Sequence, residues 1–179
     1  MKELSKTAKM DCLKQYMEFE ALYSELFKKV NFCGPNCTSK EYSLYFVKKV
    51  RGDVGCCSED HFLTKIDKIH NNLLSEKRIE KYGLPNNQEE PYFDNKKPCA
   101  YHTPKGCILE DLKPHVCVAF TCYSFSHGLE RGYELAYDYE EIRNNLEAVL
   151  NGELSEENIR LSRIRLLKSI EIVEKSTNF

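Results

Sequence analysis

No stretch of this sequence approaches eighteen consecutive apolar residues, so a membrane-spanning helix is not expected. The first residues, MKELSKTAKMDCLKQ, put no apolar run behind their charges, as a secretory leader would. Charge of one sign is also lacking. Twenty-six Lys and Arg stand against 28 Asp and Glu, a formal net charge of −2, which argues against nucleic acid or an anionic membrane as partner. The chain reads as cytoplasmic. It lacks internal repeats and low-complexity tracts, and 179 residues suffice for a single domain, 1–179, with a sizeable core. Also missing are a Gly-x-Ser-x-Gly elbow, a P-loop, a dinucleotide fingerprint and a His-Glu-x-x-His pair. Their absence removes the enzyme classes that rest on those signatures.

What is abundant is cysteine, nine residues in all. Without a leader, and with an odd count, a disulfide framework is the weaker explanation; clustered thiols in a reducing compartment more often hold metal. Cys12 stands alone among apolar neighbours and reads as a small core residue. The other eight form two groups, Cys33, Cys37, Cys56 and Cys57, then Cys99, Cys107, Cys117 and Cys122. Thiolate is soft and strongly donating, which suits zinc and iron–sulfur centres. Short intervals such as Cys33-x3-Cys37 and Cys117-x4-Cys122 cost little entropy to close around one centre. Adjacent Cys56 and Cys57 fit two neighbouring centres, or one ligand and one buried thiol, better than one small ion.

Helical periodicity frames this cysteine-rich middle. Leu13, Tyr16, Met17, Phe19, Leu22, Tyr23, Leu26, Phe27 and Val30 recur at steps of three and four, predicting a helix over residues 1–31. Tyr42 to Val50 favours a strand, with a helix as the alternative its spacing also allows. Ser58 is placed to cap a helix with Phe62, Ile66, Ile69 and Leu73 on its apolar stripe, stopping at Tyr82-Gly83. From Leu84 to about Tyr133 the periodicity vanishes among Pro85, Pro91, Pro98, Pro104 and Pro114, and metal ligation is a source of order for such a stretch. Helices return over 134–176. Tyr139, Ile142, Leu146, Val149 and Leu150 form one stripe closed by Asn151-Gly152; Ser155 caps a last helix with Ile159, Ile164, Leu167, Ile170 and Val173. The expected architecture is mainly α with minor β, organised around an irregular Cys-rich centre at about 33–122.

The segment from Pro98 to Cys122, PCAYHTPKGCILEDLKPHVCVAFTC, resembles the YkgJ-type cysteine-cluster family, described as zinc- or iron-chelating domains. Cys99, Gly106-Cys107, Lys113-Pro114, Cys117 and Cys122 follow that family's order and approximate spacing. Upstream, Cys33, Cys37 and Gly55-Cys56-Cys57 correspond to its compact cluster, but with a longer first interval and eighteen residues between Cys37 and Cys56. The resemblance covers about half of the chain and implies a metal-binding domain without a single shared reaction. A related segment occurs in flagellin lysine N-methylases; no Gly-rich S-adenosylmethionine loop accompanies it here, so methyl transfer is not expected.

These readings converge on eight ligands, Cys33, Cys37, Cys56, Cys57, Cys99, Cys107, Cys117 and Cys122, holding an iron–sulfur cluster or zinc. A cluster implies electron transfer or redox sensing with an unidentified redox or protein partner. Zinc implies a structural or metal-handling module, and an open coordination position would make a metal-dependent enzyme. So many thiolates leave a strongly negative site that needs amide donors and cations nearby. Lys96, Lys97, Lys105, Lys113 and His115 lie in the same segment; of these, Lys113 and His115, together with His102, are the candidates to flank the ligands. His61 and His70 are not spaced as a helical ligand pair, and His127 reads as a loop residue before Gly128. Tyr92, Phe93, Tyr101, Phe120, Tyr123 and Phe125 are expected to be ordinary core rather than a shield for the cluster.

Overall fold

The computed structural model describes residues 4–30, 72–83, 101–103, 106–121 and 123–177. Among them are six helices: α1 (Lys6–Val30), α2 (Leu73–Tyr82), α3 (His115–Ala119), α4 (Tyr123–Tyr133), α5 (Tyr139–Leu150) and α6 (Glu156–Thr177). One two-residue antiparallel ladder joins β1 (His102–Thr103) to β2 (Gly106–Cys107), with His102 opposite Cys107. The mainly helical architecture is as the periodicity predicts.

The long helix α1 is the spine. Its Leu13, Tyr16, Phe19 and Leu26 are buried, and Met17, Leu22, Tyr23, Phe27 and Val30 pack against the same core, so every position of the predicted stripe is used. Helices α5 and α6 both run along α1, and α3 packs on α5. The boundaries follow local chemistry. Asp138 caps α5 by accepting the Glu141 amide at 3.0 Å, and Ser155 caps α6 through the Asn158 amide at 3.3 Å. Gly83 (φ +80°) and Gly152 (φ +66°) leave α2 and α5 through left-handed backbone, a conformation that only glycine adopts without strain. Both stops stand where the sequence places them.

Three expectations are corrected. The stretch from Leu84 to Tyr133 is not irregular throughout, because it contains α3 and α4. Gly128 and Gly132 lower helix propensity in α4, but Phe125 and Leu129, one turn apart, are both buried, and the Phe27 ring meets Phe125 edge-on at 5.1 Å. Packing overrides propensity there, and His127 is a helical residue rather than a loop one. In α6 the apolar stripe is rotated from the expected one: Leu166 is buried with Ile159, Ile170 and Val173, whereas Ile164 (37%) and Leu167 (47%) are exposed. Steps of seven, four and three keep the buried set on the side facing α1.

The predicted strand at Tyr42–Val50 and the helix start at Ser58 lie outside the described residues. None of the described helices is long and apolar enough to cross a membrane.

Candidate metal centre

Of the eight proposed ligands, Cys117 is the one whose side chain is described. Cys107 is described through its backbone in β2, and His102 through its backbone in β1. Cys33, Cys37, Cys56, Cys57, Cys99 and Cys122 lie outside the described residues, as do Lys96, Lys97, Lys105, Tyr92 and Phe93. No group of three or more His, Cys, Asp or Glu placed to hold a metal occurs among the described residues.

What the structure does show is how the segment leading to Cys117 is held. Leu112 has φ +56°, which costs a branched residue about 1 kcal/mol or more. Three buried side chains offset that strain. Glu20 of α1 accepts the amides of Leu112 at 2.8 Å and Lys113 at 3.0 Å, one on each carboxylate oxygen. Tyr16, one turn earlier on α1, donates its hydroxyl to the Lys113 carbonyl at 2.5 Å. From α2, Arg78 donates Nε–H to the Leu112 carbonyl at 2.5 Å. The four backbone polar groups of Leu112 and Lys113 are thus all satisfied by side chains.

The preceding residues are fastened to the end of α2. The Tyr82 hydroxyl donates to Asp111 at 2.7 Å and accepts from the Glu110 and Asp111 amides at 3.1 and 3.2 Å. Lys81 pairs with the Asp111 carboxylate at 2.8 Å and, with Tyr82, holds it below the usual carboxylate range. Tyr101, buried against Leu109 and Tyr82, ties the β1–β2 ladder to the same end of α2. Pro114, with φ locked at −54°, then starts α3, and its carbonyl accepts the Cys117 amide at 2.8 Å. Cys117 is the third residue of the helix, a half-buried thiol that takes part in no disulfide.

The electrostatics of this floor are unusual for a protein interior. Burial pushes the Glu20 carboxyl up despite the two amides and Lys113. Burial likewise raises the Tyr16 hydroxyl well above its ordinary value and lowers the Arg78 guanidinium. Both Tyr16 and Arg78 are in electrostatic reach of Cys117.

Two of the flanking candidates have described side-chain contacts. The buried His115 turns Nε2 toward Glu147 of α5 at 3.7 Å, joining α3 to α5. Lys113 folds back, donating to the Glu110 carbonyl at 2.6 Å and standing 3.5 Å from Glu20. Cys12 is buried, with burial raising its thiol, as expected of a core residue. Tyr101 and Phe125 are core as well.

The two residues that the motif reasoning passed over are Glu20 and Arg78. Each carried a signal. Glu20 falls on the apolar face of α1, one turn after Tyr16, and Arg78 lies between Leu74 and Tyr82 at steps of four. A charge inside an apolar stripe is buried only when paired.

No protein-family model matches the chain, and no curated protein or solved structure matches it either.

Proposed function

We propose that this is a cytoplasmic, single-domain metal-binding protein whose clustered cysteines hold an iron–sulfur cluster or zinc. Cys33, Cys37, Cys56, Cys57, Cys99, Cys107, Cys117 and Cys122 are its ligands, and the first form of the proposal is a cluster serving electron transfer or redox sensing. The observation that carries it is the buried Glu20–Tyr16–Arg78 floor, which commits three polar side chains to fixing the two residues before Pro114 and hence Cys117. Burying charge is costly and has to be matched by precise pairing, and here the pairing sets the position of one candidate ligand. The resemblance of Pro98–Cys122 to the YkgJ-type family supports the same reading.

A bound cluster supplies one-electron chemistry, and zinc supplies a closed structural cross-link. The chain's own residues orient Cys117 and place a positive charge near it. The test is elemental and sulfide analysis, with a visible spectrum, on untagged protein purified without air. Iron with inorganic sulfide and broad visible absorption supports the redox form. Stoichiometric zinc in a colourless sample replaces it with the structural or metal-handling form. Neither metal, with nine free thiols, overturns the proposal.

A further inference from the structure

Helices α5 and α6 are consecutive, and each packs chiefly on α1. Two helices joined by so short a link, residues 151–155, ordinarily pack side by side. The space left between them is a partly open cleft of about 240 Å³, floored by apolar residues that include Phe19 and Leu26 of α1. Its walls are mixed, with polar groups among apolar ones such as Ile142, Leu146 and Leu166. Counted outward from the link, Asn145 and Ser162 lie at similar distances along their helices, as do Glu141 and Arg165, and all four line the cleft. Among the described residues, Glu141 and Arg165 have no ion-pair partner, and the Tyr23 hydroxyl, the Asn145 amide and the Ser162 hydroxyl make no hydrogen bond. Glu141 and Arg165 thus put opposite charges in the lining of one cleft with an apolar floor, which matches a ligand that carries both charges on an apolar body.

We propose that this cleft binds a small zwitterion of the class of free hydrophobic α-amino acids. Arg165 takes the carboxylate, in the geometry that a guanidinium fork suits. Glu141 takes the ammonium group, Asn145 and Ser162 hydrogen-bond beside them, and the side chain rests on the α1 floor. The volume is below the ~300–1,000 Å³ of drug-sized sites, which limits the occupant to a molecule of about this size. Cys117 is not among the residues that line the cleft, and the proposal does not rest on the metal reading.

The experiment is calorimetric titration of the 179-residue protein, as purified, using L-leucine and L-phenylalanine. Isopentylamine and 4-methylpentanoate, each lacking one charged group of leucine, are the comparison probes. Saturable binding of the amino acids is expected, with each comparison probe weaker by roughly tenfold, the worth of one charge-assisted hydrogen bond. Arg165→Gln is expected to weaken L-leucine by a similar factor and leave isopentylamine unchanged. Glu141→Gln is expected to weaken L-leucine and leave 4-methylpentanoate unchanged. Both substitutions are on exposed side chains, and an unchanged thermal transition confirms folding. No saturable binding of either amino acid up to about 10 mM, comparison probes as tight as leucine, or affinities that neither variant alters would each overturn the proposal.

Discussion

Glu20 of α1 and Leu112, ninety-two residues apart, are joined by a 2.8 Å hydrogen bond from the Leu112 amide to the buried Glu20 carboxylate. That bond, with its twin from Lys113, holds a left-handed leucine in place just ahead of Pro114 and α3. Glu20→Ala orphans two amides and releases the strained backbone, so a stability loss of roughly 2–4 kcal/mol is expected. Urea denaturation measures the loss. Alkylation of Cys117, followed by mass spectrometry, is expected to speed up as the segment loosens. A change within experimental error in both would remove Glu20 from its place as the anchor.

The same carboxylate makes a pH prediction. Its folded value is raised above the ordinary 4.5, with burial as the largest cause. A raised folded value means that the folded state prefers the protonated form. This contribution to stability is therefore complete below 4.5 and is lost as pH rises through the raised value. Glu20→Gln cannot titrate. The stability difference, wild type minus Glu20→Gln, is thus expected to fall as pH rises from about 4.5 and then to level off. A flat difference across that interval contradicts the assignment.

Arg78 anchors the Leu112 carbonyl from the other side. Arg78→Lys keeps the cation but loses the Nε–H bond to Leu112, and it is expected to cost about 1–3 kcal/mol. Arg78→Met loses every donor at that place and is expected to cost at least as much. Urea denaturation of both variants reads the loss, and midpoints equal to the wild type would mean that this bond does not hold the Leu112 turn.

Two cysteines on described helices are expected to behave oppositely. Cys117→Ser removes a proposed ligand and is expected to lower metal per chain, whereas Cys12→Ala, in the core, leaves it unchanged. Metal analysis of both variants decides. Full metal in Cys117→Ser excludes that residue from the ligand set.

Gly152 supplies a purely structural check. Its φ is +66°, and a Cβ there would stand 3.2 Å from the Cys12 sulfur and 3.4 Å from Leu4. Gly152→Ala combines strain with crowding, so a loss of about 1–2 kcal/mol is expected, read as a lower thermal midpoint. An unchanged midpoint would show that the connection between α5 and α6 readjusts freely.

Sequence alone determined α1, the end of α2, α5 and the caps of α6. In these places the signal is local: a residue's side chain, or its lack of one, meets its own backbone within four positions. It also determined that nine cysteines demand a chemical explanation and that Cys12 belongs to the core. Only the tertiary structure decided the rotation of α6, because Leu166 and Leu167 are alike as hydrophobes and the choice between them is made by α1. It decided α4 in the same way, since burial of Phe125 and Leu129 outweighs two helix-weakening glycines. The floor under Cys117 belongs here too: Glu20, Arg78 and Leu112 are distant in the chain, and a buried charge is stabilised by partners that only folding brings within hydrogen-bond reach.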